Sequence, residues 1–107
     1  MGDGASTGRT TVLVVEDDEK LRELLARVLR SGGYDVAEAA SGEQAISRLA
    51  EVNVRLAAVL TDLEMPGIGG EGLIAHIERE WLGLPVVVLP GGRRRIATLP
   101  PQRQLAK

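Results

Sequence analysis

Acidic side chains follow two apolar segments of this sequence, at the point where each segment stops. Residues 12–15 lead directly into Glu16 and Asp17, and residues 57–61 lead directly into Asp62. Short, nearly continuous runs of Val, Leu and Ala are typical of strands buried on both faces of a parallel sheet. Because the carboxyl ends of parallel strands meet at the same edge of a sheet, we expect the three carboxylates to lie close together.

Carboxylates crowded into one pocket repel one another unless a cation joins them. A few oxygen ligands that remain open to water suit Mg²⁺, which keeps several water molecules and completes its coordination with phosphate oxygens. With Mg²⁺ present, Asp62 could attack phosphorus and form an acyl phosphate. The alternative is that these acids are solvated loop residues. For either motif alone the two interpretations are balanced, and the presence of both favours the cation site.

The periodicity of apolar residues predicts alternating strands and helices. The strands are expected at about residues 11–15, 34–39, 56–60 and 85–89. Helical spacing follows the first strand, at Leu21, Leu24, Leu25, Val28 and Leu29. Three helices between four strands give the order β-α-β-α-β-α-β, which predicts an open α/β sheet with right-handed crossovers.

Length and composition exclude several classes of protein. A chain of 107 residues is large enough for one domain, and the absence of cysteine excludes disulfides, thiolate catalysis and cysteine-based zinc sites. No apolar run reaches the length needed to span a membrane. We therefore expect a single soluble domain in the cytoplasm, without membrane contact.

The charge distribution changes abruptly at Pro90. Residues 1–89 carry 15 acidic and 8 basic side chains, a net charge of −7, whereas residues 90–107 carry five basic side chains and no acidic one. This division predicts a disordered leader at residues 1–11, a domain at residues 12–89 and a basic disordered tail at residues 90–107. Three adjacent arginines without aromatic neighbours are more typical of a solvated tail than of a nucleic-acid site, so no nucleic-acid contact by the domain is expected.

Three segments together resemble the receiver domain of two-component response regulators. They are residues 12–18, residues 60–67 (Leu-Thr-Asp-Leu-Glu-Met-Pro-Gly) and residues 84–89 (Leu-Pro-Val-Val-Val-Leu). The resemblance covers residues 12–89. It implies a flavodoxin-like fold with helices on both faces of a parallel sheet, and strand order 2-1-3-4 for the four strands present.

The resemblance also implies a role for each acidic residue. Asp62 corresponds to the phosphoacceptor aspartate, which takes its phosphoryl group from a histidine on a sensor kinase or a phosphotransfer protein. Glu16 and Asp17 correspond to the acidic pair that holds Mg²⁺. Glu64 corresponds to the position that contributes a backbone carbonyl to the metal. Such a module is a signalling protein and not an enzyme.

Two departures from the family pattern predict impaired switching. The family places Thr or Ser at the end of the fourth strand, where its hydroxyl bonds the phosphoryl group, and this chain has Pro90 there. The family also uses a lysine after a fifth strand, whereas the lysines here are Lys20 and Lys107, and neither matches. No strand or helix pattern follows residue 89, so the fifth strand and fifth helix are expected to be missing.

Two other interpretations remain open. The change of composition after residue 89 is also what a non-functional fragment or a frameshifted product of a response-regulator gene would show. Less favoured is a phosphatase with an aspartyl nucleophile, since Asp62 and Glu64 follow a strand. Such enzymes require a second aspartate two residues after the first, and they give no role to the acids after the first strand.

Overall fold

The computed structural model describes residues 10–51 and 56–89. Its elements, in chain order, are β1 (Thr11–Val15), α1 (Glu19–Ser31), β2 (Asp35–Ala39), α2 (Gly42–Glu51), β3 (Leu56–Thr61), α3 (Gly69–Glu80) and β4 (Val86–Val88). All four predicted strands are present, with ends that differ from the prediction by at most one residue. The predicted leader and tail fall mainly on residues 1–9 and 90–107, which lie outside the described residues.

The four strands form one parallel sheet in the order β2-β1-β3-β4. This confirms the predicted order 2-1-3-4 and the flavodoxin-like class. The register places Val15, the last residue of β1, opposite Ala39 on β2 and opposite Thr61 on β3. Strands β2, β1 and β3 therefore end level with one another, and the residues that follow them emerge at one edge of the sheet.

Helices cover both faces of the sheet. The side chains of α2 and α3 form one aliphatic core with the strands; its buried members are Leu13, Val15, Ala37, Ala39, Ala45, Leu49, Val59, Leu73 and Ile77. Helix α1 packs against β1 and β2 on the opposite face, where Ala26 is its one fully buried residue. The sheet is thus sandwiched between α1 and the α2–α3 pair.

The apolar stripe of α1 is only partly covered by the described residues. Leu24 and Val28 are 50% and 58% exposed, and Leu21 is also exposed. Ala26 is buried, and the half-buried residues of the helix are Arg22, Leu25 and Leu29. Periodicity correctly predicts the helix, but it does not identify what contacts each side of it.

Local backbone features explain where α2 begins and where α1 ends. Ser41 accepts a hydrogen bond from the Gln44 N–H (3.0 Å), and Gln44 accepts one from the Ala40 N–H (2.8 Å), which fixes the start of α2. At the end of α1, Gly33 adopts a φ of 99°, a conformation that favours glycine. Within residues 10–51 and 56–89, no helix is long and apolar enough to cross a membrane.

Candidate metal centre

The turn between β1 and α1 is held by hydrogen bonds that begin at Glu16. The Glu16 N–H donates to the carbonyl of Ala39 (3.0 Å), which prolongs the pairing of β1 with β2 by one residue. One carboxylate oxygen of Glu16, Oε2, accepts a hydrogen bond from the Asp18 N–H (3.0 Å). Asp18 is the N-cap of α1, because its Oδ1 accepts the N–H of Leu21 (3.1 Å). The turn therefore consists of only three residues, Glu16, Asp17 and Asp18, and α1 begins at Glu19.

Asp62 is held at the end of β3 in a similar way. Its N–H donates to the carbonyl of Val15 (3.3 Å), and its Oδ1 accepts a hydrogen bond from the Glu64 N–H (3.2 Å). Thr61, which is fully buried, donates its hydroxyl to the Asp62 carbonyl (2.9 Å). Both the backbone and the side chain of Asp62 are therefore oriented by direct hydrogen bonds.

Helix α3 packs closely against the segment that carries Asp62. Gly70 donates its N–H to the Leu63 carbonyl (3.1 Å). A Cβ atom at Gly70 would collide with the Asp62 carbonyl oxygen and with the Cα of Leu63. A side chain at this position would push α3 away from the candidate site. The sequence places three glycines at positions 69, 70 and 72, but this pattern does not indicate the backbone contact.

The structure brings three predicted site residues together. Glu16, Asp17 and Asp62 each offer one carboxylate oxygen, and these three atoms lie within 4.8 Å of one another. Glu16 is only 3% exposed, Asp62 is half-buried and Asp17 is exposed. This gradient from a buried to an exposed acid leaves one side of the cluster open to water.

The electrostatics of the cluster favour a bound cation. Burial raises the pKa of Glu16 to about 7, and the nearby carboxylates of Asp62 and Asp17 add to the effect, while the hydrogen bond from the Asp18 N–H opposes it. The second oxygen of Glu16, Oε1, is buried without a hydrogen-bond partner among the described residues. Buried polar atoms are normally satisfied. An unsatisfied carboxylate oxygen beside two further carboxylates is a donor set that fits Mg²⁺.

Glu64 lies next to the carboxylate cluster, but its side chain is not part of it. The Glu64 side chain is exposed, and its N–H contacts Asp62; the role of its backbone carbonyl as a metal ligand stays a prediction. Lys20 is exposed on α1. The Leu89 N–H donates to the Thr61 carbonyl (2.8 Å), which prolongs the pairing of β4 with β3 by one residue. Pro90 and Lys107 lie outside the described residues.

Comparison with known proteins identifies the family. The sequence model of the response regulator receiver domain matches residues 12–98. The chain belongs to this family, and so to two-component signalling. The match continues past residue 89, where the composition predicts that the domain ends.

The relatives include regulators that are longer than this chain. The chain is 40% identical over 83 residues to the DNA-binding response regulator MtrA of Mycolicibacterium smegmatis, an alignment that covers 78% of this chain and 35% of MtrA. The chain therefore spans about a third of the length of this regulator.

Solved receiver domains share the fold. The receiver domain of the hybrid histidine kinase CckA has a TM-score of 0.66 at 39% identity, with 73% of this chain and 72% of that chain covered. The response regulator TrrA of Thermotoga maritima, solved in complex with Mg²⁺–BeF, has a TM-score of 0.69 at 32% identity, with 74% and 67% covered.

Proposed function

We propose that this chain is a phosphoacceptor receiver module of a two-component phosphorelay that is phosphorylated on Asp62 with the help of Mg²⁺. The observation that carries the proposal is the convergence of one carboxylate oxygen each from Glu16, Asp17 and Asp62. The family and the Mg²⁺–BeF complex of TrrA support it. The phosphatase alternative leaves Glu16 and Asp17 without a role.

The expected donor is a phosphohistidine on a sensor histidine kinase or a phosphotransfer protein. Similarity to the receiver domain of a hybrid histidine kinase supports this class of partner. A carboxylate oxygen of Asp62 attacks the phosphorus, and a P–O bond forms as the P–N bond breaks. The electron pair returns to the imidazole nitrogen, which takes up a proton.

Each residue of the site has a defined task in this reaction. Glu16 and Asp17 hold the metal beside Asp62, and the Glu64 carbonyl completes the set of protein ligands. Bound Mg²⁺ screens the repulsion between the carboxylate and the incoming phosphoryl oxygens. The hydrogen bond from the Glu64 N–H to Asp62 Oδ1 orients the carboxylate that attacks.

We also propose that phosphorylation produces little conformational response. Pro90 has neither a hydroxyl nor a backbone N–H for the phosphoryl oxygens, and no lysine stands at the position the family uses. Each missing charge-assisted hydrogen bond removes about 1.5–3 kcal/mol that would otherwise bias two conformations.

Beryllofluoride tests both parts of the proposal, because in Mg²⁺ buffer it mimics an acyl phosphate. NMR spectra of the wild type should change around Asp62 when beryllofluoride is added, and those of Asp62→Asn should not. An unchanged wild-type spectrum would refute the phosphoacceptor assignment. Shifts that spread through residues 86–107 would show a working switch and refute the second part.

A further inference from the structure

Arg22 of α1 connects the candidate metal centre to strand β2. Its Nη1 donates a hydrogen bond to the backbone carbonyl of Glu16 (2.8 Å), and its Nε donates to Glu38 Oε1 (3.3 Å). The side chain is only 17% exposed, so water competes little for these contacts. A single guanidinium thus bridges the β1–α1 turn and the adjacent strand.

Glu38 is itself held from two further directions. Its other carboxylate oxygen, Oε2, lies 3.6 Å from Arg30 Nη2, and its backbone carbonyl accepts a hydrogen bond from Arg48 Nε (3.0 Å). The contact from Arg30 adds little, since it is long and the Arg30 side chain is 55% exposed. Because Glu38 lies on strand β2, its position limits the freedom of the Arg22 guanidinium. Arg22 is therefore preorganised before it contacts Glu16.

The carbonyl that Arg22 contacts belongs to the peptide group that joins Glu16 to Asp17. Peptide groups are planar, so the direction of this carbonyl constrains the Cα positions of both residues. The preceding peptide group, which joins Val15 to Glu16, is held through the Glu16 N–H, which donates to the Ala39 carbonyl (3.0 Å). Arg22 thereby acts on both acids at once, although it contacts neither carboxylate.

We propose that Arg22 is a positioning residue, which orients the Glu16–Asp17 peptide so that both carboxylates face Asp62 and Mg²⁺. The inference rests on the proposed function. Groups that orient metal ligands without touching the metal commonly affect metal affinity about 10–100-fold. Arg22 contacts the backbone carbonyl of Glu16 and not a carboxylate of the site, so its contribution is geometric.

The decisive variants are Arg22→Lys and Arg22→Gln, with Arg30→Lys and Arg30→Gln as matched controls. Arg30 lies on the same helix and pairs with the same Glu38, but it makes no contact with the β1–α1 turn. Lysine keeps the charge of Arg22 but lacks the planar fork that reaches two acceptors at once. Arg22→Lys therefore also serves if Arg22→Gln does not fold.

Mg²⁺ affinity is measured by NMR titration of the full chain, and the melting temperature is recorded with EDTA and with saturating Mg²⁺. We expect the Arg22 variants to bind Mg²⁺ about ten-fold more weakly than the wild type, and the Arg30 variants to stay within about two-fold. The Mg²⁺-induced rise in melting temperature should shrink in the Arg22 variants alone. With acetyl phosphate as donor, phosphorylation of the Arg22 variants should require more Mg²⁺ but reach nearly the wild-type maximal rate.

Three results would overturn the inference. If the Arg22 variants bound Mg²⁺ as tightly as the wild type, the role of Arg22 would be refuted and the proposed Mg²⁺ site would stand. Equal weakening by the Arg22 and Arg30 variants would show that the arginines act through general stability. Failure of the wild type to bind Mg²⁺ would instead refute the proposed function, and the inference with it.

Discussion

The backbone N–H of Asp62 donates to the carbonyl of Val15 at 3.3 Å, one residue beyond the last paired positions of β3 and β1. This bond continues the parallel ladder into the two segments that carry the acids. Asp62 consequently leaves β3 at the level where Glu16 leaves β1. The proximity of the carboxylates follows from strand register and does not depend on a flexible loop.

The first prediction concerns Asp17 and its neighbour Asp18. Asp17→Asn removes one charged ligand and should weaken Mg²⁺ binding by at least about ten-fold. Asp18→Asn also removes one negative charge from the same turn, but asparagine is an equally good N-cap. The Asp18→Asn variant should therefore bind Mg²⁺ with nearly the affinity of the wild type. Isothermal titration of the three proteins measures the difference, and equal affinities for Asp17→Asn and the wild type would argue against the assigned ligands.

The second prediction concerns the pH dependence of stability without metal. The pKa of Glu16 is raised to about 7 in the folded state, above its ordinary value of 4.5, so the folded protein binds this proton more tightly than the unfolded chain. The unfolding free energy should therefore increase on the order of 2–3 kcal/mol as the pH falls from about 8 to about 5. This stabilisation is lost again as the pH rises through about 7.

Urea denaturation in EDTA across this pH range provides the measurement. Glu16→Gln should flatten the curve, because the neutral amide does not titrate. Saturating Mg²⁺ should also reduce the gain at low pH, since the cation favours the carboxylate form of Glu16. A wild-type curve as flat as that of Glu16→Gln would show that Glu16 is not held at a raised pKa.

The third prediction follows from the contact between α3 and the Asp62 segment. Gly70→Ala should destabilise the fold by about 1–3 kcal/mol, since the added methyl group meets backbone that cannot move aside cheaply. Gly32→Ala is the control, because a Cβ there comes no closer than 3.4 Å to another atom. Urea denaturation compares the two variants, and an equal, small effect would mean that α3 does not approach Asp62 as described.

The fourth prediction separates the two faces of the sheet. Leu49 of α2 is fully buried in the core, whereas Leu24 of α1 is 50% exposed. Leu49→Ala should cost about 2–5 kcal/mol of unfolding free energy. Leu24→Ala should cost about 1 kcal/mol or less. If Leu24→Ala proved as costly as Leu49→Ala, α1 would have to be more deeply covered than the described residues show.

Much of the fold and of the acidic cluster could be predicted from the sequence. Val12 and Val59 lie in short apolar runs that end at acids, and parallel topology then requires those acids to share an edge. This reasoning needs only local pattern and the geometry of sheets. The predicted cluster of Glu16, Asp17 and Asp62 is therefore present in the structure.

What the sequence could not indicate depends on contacts between distant residues. Arg22 looks like one more charge on a helix surface until Glu38, which lies on β2, is seen to face it. Gly70 looks like part of a loose glycine cluster until α3 is seen to pack on Asp62. The exposure of Leu24 likewise depends on which elements cover α1, and periodicity carries no information about that.

The measurement that tests the central claim most directly is mass spectrometry after incubation with acetyl phosphate and Mg²⁺. We predict the mass increase of one phosphoryl group in the intact protein, its localisation to Asp62 after borohydride reduction and digestion, and its loss in EDTA and in Asp62→Asn. A phosphoryl group on another residue, an unchanged yield in Asp62→Asn, or no mass increase in the folded wild type would contradict the account.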